Sequence, residues 1–407
     1  MRSLIIIETL KYPPRLNGRS VRTKLFIDAI STLFDQVDFL LFAPPEAAQQ
    51  PVDNNAVKDI WGVSGTLTLV PMRMVPFNFH QHYIAGLLSA EQETSFAPFC
   101  GPDQIAAVKA ALATKPDLVF VVQTRTMAAV LAAGWSGKLL LDMDDILHRV
   151  KWRTAMAKPL QRWRALKLLH LPALIATEIR ACLTSSAIAV CSTPDRARIA
   201  MMGAGRRAVA IPNAIKAPAN VPSLPADLTV MYIGDLLYEP NRVAAKRLIT
   251  RVWPLIRARH PTARLLIAGQ GGETIIQNYA PENGVEILGF VDDLAALYAA
   301  TTVICCPLTI GGGTRVKLIE AASYGRAIVS TRIGAEGLLF ADGTEIVLRD
   351  TDEDLADACS ELLSDPDRCR TLGDAARARM LAAYDAGAVQ RKIVEVIKSI
   401  CPDVAQH

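Results

Sequence analysis

Val303-Ile-Cys-Cys306-Pro-Leu-Thr-Ile-Gly311-Gly312-Gly313-Thr314-Arg315-Val-Lys317-Leu-Ile-Glu320-Ala-Ala-Ser-Tyr-Gly325 reads as a buried strand, a glycine loop and the opening turns of a helix. Glycines let backbone approach a ligand closely, and a helix start presents unpaired N–H groups with partial positive charge. Arg315 and Lys317 then fall in the first helical turn, where the dipole disfavours cations, and an anionic ligand explains them. Glu320 follows at a spacing suited to accepting hydrogen bonds from a sugar diol. A glycine turn carrying solvated charges is the alternative. The segment is not a P-loop, because G-x-x-x-x-G-K-[ST] is absent.

The same strand–helix alternation extends outward in both directions. Leu4–Ile7, Val37–Phe42, Leu118–Val122, Leu139–Leu141 and Ile188–Cys191 form one set of apolar strands. Val230–Ile233, Arg264–Ala268, Val285–Leu288, Val303–Cys306, Ala327–Ser330 and Glu345–Val347 form another. Such runs fit strands buried on both faces of a parallel sheet. Helical patterns intervene at Ser20–Phe34, Gln104–Ala113, Thr126–Ala133 and Pro194–Met202, and others begin near Asn241, Leu294 and Thr314. A Pro- and Ala-rich linker over 211–225 separates the two series. An α/β architecture follows: two doubly wound, Rossmann-like domains facing each other across a cleft, with ligands beyond the carboxyl ends of the strands.

Composition agrees with that class. The chain has 407 residues, 51% apolar and 21% charged, with a mean hydropathy of +0.24. That excludes disordered and fibrous classes and implies more than one core. The longest uncharged run, Leu294–Thr314, contains Pro307 and three glycines and is no membrane span. The apolar start reads as a first strand rather than a signal peptide, so a cytoplasmic protein is expected. The eight cysteines lie in apolar runs without zinc spacing and read as buried thiols, and His80 and His82 read as a surface pair. Residues 1–215 hold 24 basic and 16 acidic side chains and residues 216–407 hold 20 and 24, which points to an anionic partner for the first half.

The glycine segment resembles the donor loop of nucleotide-sugar glycosyltransferases with the two-domain GT-B fold, in glycosyltransferase family 4. So do its continuation Arg326-Ala-Ile-Val-Ser-Thr-Arg-Ile-Gly334-Ala-Glu336-Gly337, Tyr232-Ile-Gly234-Asp235, Leu266-Ile-Ala-Gly269, and Val285-Glu-Ile-Leu-Gly289-Phe290-Val-Asp292-Asp293. Ala189-Val-Cys-Ser192-Thr-Pro-Asp195 and Ile211-Pro212-Asn213 carry the likeness into the first half. The resemblance implies retention of anomeric configuration, no cofactor, no essential metal and a UDP- or GDP-sugar donor. It implies an acceptor domain over 1–212, a donor domain over 213–386, and a helix within 387–407 returning to the first domain. Gly18, Gly234, Gly269, Phe290, Gly312, Gly313, Thr314, Arg315, Lys317 and Glu320 are the implied donor-site positions. The sequence departs from the pattern in three places. Gly312 stands where many members carry a first glutamate, and Asp235 and Asn241 stand where an arginine and a lysine are common. The diphosphate is therefore assigned to Arg315 and Lys317.

In the first half, Leu139-Leu-Leu-Asp142-Met-Asp144-Asp145-Ile-Leu-His148 follows a strand, and Asp144 and Asp145 fall where the family often has His-Asp. They are the candidate catalytic carboxylates, with Arg315 and Lys317 as the catalytic cations. A helix-capping loop and a D-x-D metal site at Asp142 and Asp144 are the alternatives. Tyr12-Pro-Pro-Arg15-Leu-Asn17-Gly18-Arg19-Ser-Val-Arg22 resembles the family's glycine loop after the first strand, its three arginines making it strongly cationic.

Residues 149–171 contain no acid, several Lys and Arg, and Trp152 and Trp163. Peripheral contact with an anionic cytoplasmic leaflet is expected, against a solvated basic helix, and no nucleic-acid module is present. The expected activity is hexosyl transfer to a glycan acceptor, lipid-linked if the membrane contact holds, in cell-surface polysaccharide synthesis. A sugar-nucleotide epimerase or hydrolase and a non-catalytic nucleotide-sugar-binding subunit are the rivals.

Overall fold

The computed structural model describes residues 1–9, 18–49, 61–62, 65–73, 96–156, 168, 171–272, 283–310 and 314–406. The chain divides into two compact units, Met1–Pro212 with Gly387–His407, and Asn213–Ala386.

The first unit is built on β1 (Arg2–Glu8), β2 (Gln36–Ala43), β3 (Leu67–Pro71), β4 (Leu118–Val122), β5 (Leu139–Met143), β6 (Ala187–Val190) and β7 (Ala208–Ala210). They pair in the order β3-β2-β1-β4-β5-β6-β7, all in parallel. Every residue of β4 and β5 is buried, which is why their sequences show no polar alternation. Phe26, on the helix Gly18–Ser31, stacks on Phe120 of β4 at 4.9 Å between centroids. The helix Ala386–Ile400 buries Val389, Ile393 and Ile397, one stripe at helical spacing. Its Lys392 Nζ donates to the Ala210 carbonyl at 2.7 Å.

The second unit repeats the plan with β8 (Thr229–Ile233), β9 (Arg264–Ala268), β10 (Val285–Gly289), β11 (Val303–Cys306), β12 (Ala327–Ser330) and β13 (Val347–Leu348). The order is β10-β9-β8-β11-β12-β13, again parallel. Each sheet reverses its winding once, at β1/β4 and at β8/β11, and doubly wound sheets bind ligands at that point. Arg326 is fully buried; its guanidinium donates to the carbonyls of Pro222, Ser223 and Thr301 and ties the stretch before β8 to the sheet.

Several boundaries differ from the sequence pattern. The strand expected at Glu345–Val347 lies at Val347–Leu348, and the helix expected from Asn241 begins at Glu239, with Pro240 in its first turn. β3 and β7 have no clear sequence signature: β3 mixes buried and exposed residues without regular alternation at the sheet edge, and β7 has only three residues. All eight cysteines are buried free thiols. Among the described residues no helix is long and apolar enough to cross a membrane.

Candidate active site

Polar groups of the second unit converge at the carboxyl end of its sheet. Gly234 follows β8 and Gly269 follows β9, and the two backbones touch, so that a Cβ on Gly269 would collide with the Gly234 carbonyl. Gly269 also has φ +138°, open to glycine and strained for other residues. A Cβ on Gly234 would collide with Lys317 Nζ. A side chain at 234 would push the Lys317 ammonium off this position.

Lys317 belongs to the helix Val316–Ser323. Its Nζ donates to Tyr232 Oη at 3.1 Å and to Asn241 Oδ1 at 2.9 Å, and sits 4.4 Å from the Tyr232 ring centroid. Tyr232 Oη donates to the same Asn241 oxygen at 3.1 Å, and Asn241 Nδ2 donates to the Asp235 carbonyl at 2.9 Å. Burial pulls the Lys317 ammonium down to about 8; Arg315 adds to the fall and Asp235 opposes it. The cation that the resemblance places at position 241 is here supplied to Asn241 from a different helix.

The sequence pattern put Arg315 inside the first helical turn, and the structure corrects this. The helix starts at Val316, and Arg315 is its N-cap, with φ −88° and ψ 95°. Asn213 Nδ2 donates to Thr314 Oγ1 at 2.7 Å, tying the residue before the cap to the start of the unit. Glu320, one turn beyond Lys317, accepts from Tyr298 Oη at 3.1 Å. Its carboxyl is raised above the ordinary range by burial, which the Tyr298 hydrogen bond partly offsets. Phe290 follows β10 and is 70% exposed, a free apolar face at the same edge of the sheet. Gly312 and Gly313 lie outside the described residues.

In the first unit Gly18 is the first residue of the helix Gly18–Ser31. Arg22, expected to make the adjoining loop cationic toward a donor, is instead buried inside the unit. Its guanidinium donates to both Asp142 oxygens at 2.7–3.0 Å and to the Ile211 carbonyl at 2.7 Å. Burial works against the Arg22 charge, but Asp142, with Cys191 and Asp144 adding to it, raises the guanidinium above its ordinary value. This also corrects the D-x-D reading: both Asp142 oxygens face an arginine, an arrangement that repels a metal ion. The N-terminus of the next helix, Leu147–Met156, donates to Glu178, whose Oε1 accepts from Leu147 N at 2.7 Å and whose Oε2 lies 2.5 Å from His148 Nδ1.

Asp144 follows β5 and accepts from Gln123 Nε2 at 3.1 and 3.2 Å; the Asp145 N–H donates back to Asp144 Oδ1 at 2.9 Å. Arg125 donates to Gln123 Oε1 at 3.0 Å and pairs with Glu8, at the end of β1, at 2.6 Å. The arginine fixes which end of the Gln123 amide faces Asp144. Gln123 has φ 74° and ψ 150°, a region that costs a non-glycine residue about 1–3 kcal/mol. Its N–H is held by the Asp142 carbonyl at 2.8 Å. Gln123→Gly and Gln123→Ala both remove the amide, but only glycine relieves the backbone. The glycine variant is expected to be about 1 kcal/mol more stable than the alanine variant, after the entropy glycine adds to the unfolded chain. Equal denaturation midpoints would limit the strain to the small amount that the glycine entropy cancels.

Sequence reasoning missed Tyr232, Tyr298, Gln123, Arg125 and Glu8. One signal was available: Glu8, Gln123 and Asp144 are polar residues at or just past the ends of otherwise apolar strands. His80, His82, Arg15 and Trp163 lie outside the described residues, as do the basic residues 158, 162, 164 and 167. Within Leu147–Met156, Trp152 and Met156 are about half exposed.

Residues 227–365 match the family model described as glycosyl transferases group 1. Over 212 residues the chain is 28% identical to a phosphatidyl-myo-inositol mannosyltransferase of Mycolicibacterium smegmatis, covering 49% of this chain and 54% of the relative. It is 31% identical over 173 residues to the phosphatidylinositol N-acetylglucosaminyltransferase gpi3 subunit of Schizosaccharomyces pombe, covering 39% and 36%. The chain thus spans about half or less of the length of these curated relatives. Among solved structures, Anabaena Alr3699/HepE in complex with UDP and glucose aligns with a TM-score of 0.67 at 14% identity, over 97% of this chain and 99% of that one. Lipopolysaccharide outer core galactosyltransferase WaaB aligns at 0.65 and 14%, over 98% and 99%.

Proposed function

We propose that this chain, which has the GT-B fold and resembles the glycosyltransferases of family 4, is a retaining, metal-independent hexosyltransferase. It moves a hexose from a UDP- or GDP-sugar to a glycan acceptor carried on a lipid. The observation that carries the reading is Lys317, whose partly buried ammonium lies over Gly234 at the ligand-binding end of a doubly wound sheet, between Tyr232 and Asn241. A partly desolvated cation, held at a cost that lowers its proton affinity, is explained by an anion bound beside it.

In this reading Lys317, Arg315 and the N–H groups of the helix Val316–Ser323 offset charge on the departing diphosphate, the role a metal takes elsewhere. Glu320 accepts from the ribose hydroxyls and Phe290 offers its face to the base. The bond from the anomeric carbon to the phosphate oxygen breaks, the acceptor oxygen attacks from the same side, and that phosphate oxygen takes the acceptor proton. Asp144, held by Gln123, and Asp145 stabilise positive charge on the sugar or orient the acceptor hydroxyl. The lipid-linked acceptor is supported by relatives named for phosphatidylinositol glycosylation and by the exposed Trp152 beside Arg149, Lys151 and Arg153.

The test is product mass spectrometry, with the anomeric configuration of the product read by NMR, using a panel of UDP- and GDP-hexoses and lipid-linked acceptors in anionic or neutral vesicles, with and without EDTA. Transfer with retained configuration that survives EDTA and is faster on anionic vesicles is expected. Donor turnover without transfer would replace this reading with a hydrolase or epimerase. Donor binding without turnover would replace it with a binding subunit.

A further inference from the structure

Glu320 is held by a neighbour with no part in the reading above. Tyr298, on the helix Leu294–Ala299, is fully buried and donates its hydroxyl to Glu320 Oε2 at 3.1 Å. Its ring stacks on Tyr324, at the end of the Glu320 helix, with centroids 4.4 Å apart and planes 14° apart. The stack and the helix leave the phenol little freedom, so the hydroxyl position is set by packing rather than by the ligand. A carboxylate has two oxygens, and holding one leaves the other to accept from a ligand.

We propose that Tyr298 is the positioning residue for Glu320, fixing one carboxylate oxygen so that the other is presented, ionised, to the ribose diol of the donor nucleotide. The proposal rests on the ribose role assigned to Glu320. A hydroxyl donating to a carboxylate favours its charged form, and that counters the burial which raises the Glu320 carboxyl. Burial holds Tyr298 well above its ordinary phenol value, so it stays a donor at any working pH. The other titratable groups here are Tyr324, itself raised by burial, and Asp293, which acts on Tyr324. From the helix Pro366–Ala383, Arg377 faces this helix but donates to the Ser323 carbonyl.

The experiment is calorimetry of UDP and GDP binding from pH 4.5 to 8 on the full chain. In the wild type, affinity falls as pH drops through the Glu320 value, because the protonated acid accepts less well. Tyr298→Phe keeps the stacked ring and removes the hydroxyl. It is expected to weaken binding about 3- to 10-fold at pH 7 and to move the acid limb to higher pH. Glu320→Gln should lose that limb, and Tyr298→Phe should have no further effect on the Glu320→Gln background. Ionisation of the nucleotide's own phosphate is common to all variants and cancels in the comparison.

An unchanged acid limb in Tyr298→Phe, or an equal loss on the Glu320→Gln background, would overturn the positioning role while leaving Glu320 in place. Wild-type affinity in Glu320→Gln would instead overturn the ribose assignment, and the proposal with it.

Discussion

Lys317→Met is expected to make the free protein more stable and to weaken its affinity for UDP and GDP. Lys317 has a folded value of about 8 against an ordinary 10.5. At neutral pH the native state therefore holds a charge that burial disfavours, at a cost of about 3 kcal/mol before its hydrogen bonds are counted. The unfolded chain binds this proton more tightly than the folded one. The cost is thus fully present below pH 8, fades between pH 8 and 10.5, and is absent above. Methionine fills the same volume over Tyr232 without the charge, and Tyr232 Oη still has Asn241 Oδ1 as acceptor. A gain of about 1–3 kcal/mol at pH 7, shrinking as pH rises through that window, is expected in denaturant titrations.

Nucleotide affinity should fall by about tenfold to a hundredfold, the value of one charge-assisted hydrogen bond. A diphosphate beside the ammonium raises its proton affinity. Wild-type binding near pH 8 should therefore take up protons and weaken as pH rises, which calorimetry in buffers of different ionisation enthalpy reads directly. A destabilised variant with intact affinity would remove the phosphate role from Lys317.

The second large effect concerns folding. Arg22 and Asp142 form a buried ion pair, with side chains 3% and 1% exposed. Asp142→Asn leaves the guanidinium buried without its counter-charge and is expected to cost about 3–5 kcal/mol. Replacing the pair together, as Arg22→Met with Asp142→Leu, should recover most of that loss, because no charge is then left in the core. Four of the five tryptophans, at 61, 135, 152 and 163, lie in the Met1–Pro212 segment, so fluorescence on urea titration follows this unit. A single Asp142→Asn variant as stable as wild type would mean that the pair adds nothing. A metal-ligand role for Asp142 would instead make its loss show in activity restored by Mn²⁺, with stability unchanged.

Strands such as Leu118–Val122 and Arg264–Ala268 are readable from sequence alone because burial on both faces leaves uninterrupted apolar runs bounded by turns. Two such series are enough to establish the α/β class. The two edge strands escape because Leu67–Pro71 has a half-exposed pattern and Ala208–Ala210 is too short for any period.

Side-chain partnerships were decided by the tertiary structure. Arg22 looks in sequence like one more solvent-facing cation, since arginines are rarely buried. Only the register that brings the helix Gly18–Ser31 over β5 makes it the partner of Asp142, 120 positions away. Lys317 meets Tyr232 and Asn241 across 85 and 76 positions, and Tyr298 meets Glu320 across 22. Periodicity reports which face of an element is buried, because burial acts on each residue locally. It carries no information on which two polar groups meet when the faces close. That choice depends on sheet order, helix placement and rotamer, which exist only once the chain has folded.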